Sequence, residues 1–229
     1  MNIYQALLKM ISEEEKGLVI LIDPDKFLIS ETRSFLEQIP KKTTHIFIGG
    51  STVLNNVTEA AVSAVKAQTS LPLILFPGDF SQLTLKADAV LFLSLLSGRN
   101  VEYLIEQQLK AVPYLKNSKL EIIPTGYILL DGGNESAVAR VTNTRPMPQD
   151  NIEAIVHTAL TGQYMGAKLI YLEAGSGALY PVKPEVISAV KKEIEIPLIV
   201  GGGIKTEIQK KAAYLAGADM IVMGTAFEK

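Results

Sequence analysis

Residues 197–205 read PLIVGGGIK, a short apolar run that ends in three glycines, an isoleucine and a lysine. A run that is apolar on consecutive residues reads as a strand buried on both faces, as in a parallel sheet covered by helices. Seven more runs of this kind lie along the chain: LVILI (18–22), HIFIG (45–49), PLILF (72–76), AVLFL (89–93), EIIPTGYILL (121–130), KLIYLE (168–173) and MIVMG (220–224). Helix-period segments alternate with them, so the class is α/β with a parallel sheet wrapped by helices. The chain of 229 residues suits one barrel or one doubly wound domain better than two domains. Eight strands favour a single (β/α)8 barrel over residues 1–229.

Several of the intervening helices are legible. Asp150 and Glu153 have capping-box spacing ahead of Ile155, Val156, Ala159 and Leu160. Pro184 suits a first helical turn, with Val186, Val190 and Ile194 facing inward. Ile204, Ile208, Ala212 and Leu215 recur at helical spacing, and Gly217 suits a left-handed cap. Two places depart from the repeat. Only GDFSQLTLKAD (78–88) separates the third and fourth strands, too little for a full barrel helix, and the chain stops soon after the eighth strand. The loop from Asp131 to Asp150, with Gly132, Gly133, Pro146 and Pro148, is long enough to carry function.

Composition excludes several classes. The net charge of −2 supplies no field for nucleic acid or for a membrane surface. The chain has no cysteine, so disulfides, thiolate nucleophiles and cysteine-held zinc are ruled out. Its N-terminus lacks a basic segment followed by an apolar one, and Ala89–Leu96 is too short to cross a bilayer. A cytoplasmic protein is the expectation.

In a parallel barrel the site lies where the strands end. The residues there are Asp23-Pro24-Asp25-Lys26, Gly49 to Thr52, Glu173 to Gly177, Gly201 to Lys205, and Gly224-Thr225. The last two clusters suit a phosphate: glycine amides approach an anion closely, and the helix that follows adds its dipole. Either cluster alone would also suit a tight turn. Asp23 and Asp25, with Ser51 or Thr52, offer oxygen ligands for Mg²⁺; equally, Asp23-Pro24 makes a turn and Asp25 caps a helix. Glu173 closes an apolar strand, where burial would raise its pKa and suit it to general-base work; an ion pair with a rim lysine is the plainer reading. Tyr171, two residues earlier, points to the same side of the strand. His45 and His157 read as structural or surface residues. Lys26 and Lys205 either touch a phosphate or are simply solvated, and Leu91, Leu93, Leu95 and Leu96 read as core.

KGLVILIDPDK (16–26), IFIGGST (46–52), YLEAGSGA (171–178), PLIVGGGIK (197–205) and ADMIVMGTAFE (218–228) together resemble the geranylgeranylglyceryl phosphate synthase family, which includes the bacterial heptaprenylglyceryl phosphate synthases. The resemblance runs from about residue 16 to the end. It implies a modified (β/α)8 barrel, of the TIM type, whose third helix is missing or replaced by extended chain. It implies Mg²⁺-dependent transfer of a geranylgeranyl group from its diphosphate to the 3-hydroxyl of sn-glycerol 1-phosphate, giving an ether-lipid precursor. By resemblance, Tyr171, Leu172, Glu173, Ala174, Gly175, Ser176, Gly177, Gly202, Gly203, Gly224 and Thr225 bind the glycerol phosphate, Asp23 and Ser51 hold the metal, and Glu173 is the catalytic group nearest the reacting hydroxyl. A homo-oligomer, no nucleic acid, and peripheral membrane contact through the lipid substrate complete the expectations. Leu21-Ile22-Asp23-Pro24 departs from the Lys-Leu-Asp-Pro of the bacterial short forms, placing the chain nearer the geranylgeranyl branch. A sugar-phosphate isomerase on the same scaffold and a non-catalytic lipid-phosphate binder are the alternatives.

Overall fold

The computed structural model describes residues 2–53 and 57–224. Eight parallel strands close into one barrel in sequence order: β1 Gly17–Ile22, β2 His45–Ile48, β3 Leu73–Leu75, β4 Ala89–Leu95, β5 Glu121–Leu129, β6 Leu169–Glu173, β7 Leu198–Gly201 and β8 Met220–Met223. Closure is made by β8 beside β1, with Gly17 opposite Met220 and Ile20 opposite Met223. All eight apolar runs form the strands expected of them. Their continuous hydrophobicity has a physical cause: one face fills the barrel and the other meets the helices. Val19, Phe47, Leu91, Leu169, Tyr171 and Ile199 pack inside, while Ile20, Ile46, Val90, Ile170, Leu172 and Val200 pack under the helix layer. Fully burying such a side chain contributes about 1.5–3 kcal/mol.

Helix α1 (Ile3–Ser12) closes the N-terminal end of the barrel. Its Leu7 joins the interior cluster, and the amides of Ile3 and Tyr4 donate to the Glu121 carboxylate at 2.5 and 3.1 Å. His45 lies at that same end. It is buried, burial pulls its pKa down to about 4, and it belongs to the core as a neutral ring. His157 is exposed on a later helix.

The outer layer comprises α2 (Thr32–Gln38), α3 (Val57–Lys66), α4 (Gln107–Leu115), α6 (Ile152–Tyr164), α7 (Pro184–Glu193) and α8 (Glu207–Leu215), with α5 (Ala137–Thr142) as an insertion after β5. Between β3 and β4 there is one 3₁₀ turn, Phe80–Gln82, so the third barrel helix is indeed replaced. A π-helical turn, Glu102–Glu106, runs straight into α4. No helix of the described residues is long and apolar enough to cross a membrane.

Three local readings need correction. Asn151, not Asp150, caps α6, its Oδ1 accepting from the Ala154 amide at 3.4 Å, while Asp150 pairs with Lys183. The α8 pattern does not face inward. The helix starts at Glu207, after a Thr206/Gln209 capping box, so Ile204 precedes it, and Ile208 and Leu215 are 81% and 90% exposed. Ala213 is the residue that α8 buries. Finally, the leucines of β4 are more than core filling, as the cavity below makes plain. The α7 reading holds, with Pro184 in the first turn and Val186, Val190 and Ile194 buried.

Candidate active site

The C-terminal strand ends surround a cavity of about 430 Å³ with two chemically different ends. Its polar end is built by the loops after β1, β2, β6, β7 and β8, through Asp23, Ser51, Glu173, Ser176, Gly202 and Gly224. Its apolar arm runs between the 3₁₀ turn, β4 and α4. Phe80 and Leu83 form one wall, Val90 and Phe92 another, and Ala111 closes the α4 side. The arm exists because no helix covers the outer face of β4 at this point. Leu91, Leu93 and Leu95, from the inner face of the strand, line the same cavity.

Glu173 ends β6 on the face that points into the barrel and is only 6% exposed. Desolvation raises its pKa to about 7, against the lowering pull of the Gly175 amide, which donates to Oε1 at 2.7 Å, and of the neighbouring Tyr171 hydroxyl. Tyr171 lies on the same face one residue pair earlier, inside an aromatic group with Phe76 (stacked, 5.2 Å) and Tyr127 (edge-on, 5.4 Å). Its buried hydroxyl approaches the Glu173 carboxylate without reaching hydrogen-bond geometry, and no other described group pairs with it. Burial keeps both phenols protonated, and the nearby Glu173 charge adds to this.

Gly202 is what lets the carboxylate sit there. Its φ is +77°, and a Cβ at this position would stand 2.3 Å from Glu173 Oε1. Gly203, at φ +71°, packs on the backbone at Tyr180–Pro181, where a Cβ would stand 2.9 Å away. These two left-handed residues turn the chain from β7 toward α8 and lay bare backbone along the cavity wall. Lys205 lines the cavity beside them and donates to the Ala178 carbonyl at 3.1 Å.

The strand period sorts the remaining residues that the sequence singled out. Tyr171, Glu173, Ser176, Gly202, Gly203 and Gly224 line the cavity, as do Asp23 and Ser51. Leu172 points the other way, into the helix-side core, and Ala174 packs in that same core. The amide of Ala174 is used by the Gly201 carbonyl at 3.0 Å. Gly175 (φ +100°) and Gly177 (φ +73°) shape the turn that carries Ser176. Thr225 lies outside the described residues.

Asp23 has its Oδ1 bonded by the Asp25 amide at 3.1 Å and its Oδ2 paired with Lys26 at 3.3 Å; its side chain is 21% exposed. Among the described residues no group of three or more His, Cys, Asp or Glu side chains is disposed to enclose a metal. One carboxylate and one hydroxyl at the cavity edge suit a Mg²⁺ ion that keeps waters and shares its ligands with substrate phosphate. Sequence reasoning missed the residues of the α4 side, Tyr103, Gln107 and Gln108, and those of α5, Val138 and Arg140, all of which line the cavity. The shortness of segment 78–88 and the length of loop 131–150 were the only signals that pointed to them.

The fold and the site define a (β/α)8-barrel enzyme whose cavity at the strand ends joins a polar, carboxylate-bearing end to an apolar arm. The family model described as the PcrB family matches residues 9–229, and the chain belongs to that family. It is 58% identical over 227 residues to a geranylgeranylglyceryl phosphate synthase of Zunongwangia profunda, covering 99% of this chain and 97% of that one. A geranylgeranylglyceryl phosphate synthase of Flavobacterium johnsoniae is 51% identical, covering 99% and 94%. Among solved structures, the (S)-3-O-geranylgeranylglyceryl phosphate synthase of Thermoplasma acidophilum, in complex with its substrate sn-glycerol-1-phosphate, superposes with a TM-score of 0.93 at 40% identity, covering 100% of this chain and 92% of that one.

Proposed function

We propose that the protein is a prenyltransferase that joins sn-glycerol 1-phosphate to geranylgeranyl diphosphate through an ether bond. The observation that carries this reading is the two-ended cavity: a buried carboxylate stands where a polar end meets an apolar arm. Relatives 51–58% identical over almost the whole chain act under that name. A sugar-phosphate isomerase would need the polar end but would have no use for the arm.

The chain's own residues divide the work. The backbone at Gly202 and Gly203, with Ser176 and Gly224, receives the phosphate of the acceptor and aims its 3-hydroxyl at Glu173. The arm receives the isoprenoid chain and keeps water from the allylic carbon. The C–O bond to diphosphate breaks, the glycerol oxygen bonds to the allylic carbon, and its proton passes to Glu173. A carboxyl titrating at about 7 suits this step near neutral pH, and activity should rise as pH rises through about 7. Asp23 and Ser51 would hold Mg²⁺, which supplies charge neutralisation of the departing diphosphate when bound.

A cytoplasmic location, peripheral membrane contact during lipid loading, and a homo-oligomer are proposed with this reading. The exposed Ile208 and Leu215 support the last of these, and light scattering on the purified chain tests it. The activity is tested by incubating the protein with labelled sn-glycerol 1-phosphate, geranylgeranyl diphosphate and Mg²⁺ and extracting into organic solvent. Label in the organic phase, absent with EDTA, is expected. No transfer to any prenyl donor would overturn the reading.

A further inference from the structure

The segment that replaces the third barrel helix carries a polar side chain that neither the fold nor the proposed chemistry has yet used. Gln82, in the 3₁₀ turn, is 2% exposed. Its carboxamide pairs with both backbone groups of one residue across the chain: Nε2 donates to the Gly50 carbonyl at 2.8 Å, and Oε1 accepts from the Gly50 amide at 3.4 Å. Only this orientation of the amide satisfies both contacts.

Gly50 matters because of what stands on either side of it. A Cβ there would lie 3.1 Å from Asp23 Oδ1, and the next residue is Ser51. From behind, Gly78 leaves room for the same turn: a Cβ on it would stand 2.4 Å from the Gly50 carbonyl, 2.8 Å from that of Ser51 and 2.9 Å from Gln82 Nε2. The 3₁₀ turn is itself anchored. The Phe80 amide donates to Gln107 of α4 at 2.9 Å, and Thr84 and Lys86 each bind Glu59 of α3 at 3.0 Å. Phe80 and Leu83, beside Gln82, wall the apolar arm. One short turn thus touches both ends of the cavity.

We propose that Gln82 is a positioning residue, which sets the Gly50–Ser51 turn against Asp23 and so fixes the diphosphate end of the donor where the apolar arm begins. The proposal rests on the prenyltransferase reading and deepens it. A buried neutral side chain that pairs with both backbone groups of Gly50 holds the turn without adding charge beside Asp23. Its effect should fall on the donor and not on the glycerol phosphate, whose glycine loops lie across the barrel on β6, β7 and β8.

Two variants test this. Gln82→Met keeps length and apolar volume and loses both hydrogen bonds. Gly78→Ala keeps the glutamine but presses its Cβ on the Gly50 and Ser51 carbonyls and on Gln82 Nε2, and it carries the test if Gln82→Met does not fold. The readouts are KM for each substrate, calorimetric binding of inorganic pyrophosphate with Mg²⁺, and thermal unfolding. Both variants should raise KM for geranylgeranyl diphosphate and the pyrophosphate Kd by roughly three- to tenfold, a change on the order of the net contribution of a hydrogen bond. KM for sn-glycerol 1-phosphate should stay within about twofold. Equal rises for both substrates that track a loss of thermal stability, or no change in either, would overturn the positioning role. A wild-type chain that binds no pyrophosphate and forms no product would remove the prenyltransferase reading itself, and this inference with it.

Discussion

Glu173→Gln changes one buried group from titratable to neutral at nearly constant shape, and it separates what that group does for catalysis from what it costs the fold. The wild-type carboxyl titrates at about 7 against an ordinary value of 4.5. That gap corresponds to about 3 kcal/mol favouring the neutral form in the folded chain. Because the folded-state value lies above the unfolded one, this stability is fully present below about pH 4.5 and is lost as pH rises through about 7. The glutamine variant carries no such dependence and can still accept from the Gly175 amide. In ligand-free protein at pH 8.5 it should be more stable than wild type by up to about 3 kcal/mol, or roughly 6–12 °C in Tm. At pH 5 the two should differ by less than about 1 kcal/mol. Turnover should fall by at least about a hundredfold at pH 8.5, the usual contribution of a positioned base, and by much less at pH 5, where the wild-type carboxyl is itself protonated. Scanning calorimetry at the two pH values, with turnover measured on the same samples, makes the comparison. A Tm difference that does not change with pH would refute the burial argument, and retained turnover at pH 8.5 would refute the role as base.

Three further perturbations act on separate parts of the structure. Gly202→Ala forces a side chain into a left-handed position, costing about 1–2 kcal/mol, and drives its Cβ onto Glu173 Oε1; KM for glycerol phosphate should rise and turnover collapse in steady-state assays. Asp219→Asn acts at the opposite end of the barrel, where the 2%-exposed carboxylate accepts from Lys191 at 2.6 Å and from the Leu198 amide at 2.8 Å. It should lower stability by about 2 kcal/mol in denaturant titrations, with both KM values unchanged. Leu83→Trp fills the apolar arm, and should raise KM for geranylgeranyl diphosphate about tenfold while hardly touching a much shorter allylic diphosphate, a difference near 1.4 kcal/mol.

Strand positions were legible because each run is apolar throughout, and the same property hid which side chains enter the barrel. Leu172 sits between Tyr171 and Glu173 in one motif, yet the period of two sends it to the helix layer. From Leu169 to Leu172 neither face carries a charge, so within those residues it is the closed register that decides which set turns inward. The polar end was readable because several glycine and carboxylate clusters fall together at strand ends, where each alone would equally suit a turn, a cap or an ion pair; segment 78–88 announced a missing helix by its length alone. The α4 wall was not readable: Tyr103 lies in the π-helical turn at Glu102–Glu106 and Gln107 directly after it, and such a turn has no sequence periodicity of its own. The α8 helix was legible, and Gly217 follows it with φ +111°, but its buried side was not. Ile208 and Leu215 match a helical stripe, but Thr206 caps the helix and fixes its phase so that Ala213 is the buried residue.

The most direct test of the central claim is a side-by-side transfer assay with geranylgeranyl diphosphate and either sn-glycerol 1-phosphate or sn-glycerol 3-phosphate, the product being identified by mass spectrometry. On the proposed reading, a phosphate held at the Gly202–Gly203 turn and a base at Glu173 would orient one hand of the acceptor for reaction. Ether product from the 1-phosphate, with at most a trace from its enantiomer, is the expected result. Equal product from both, or none from either, would contradict the assignment of the two ends of the cavity.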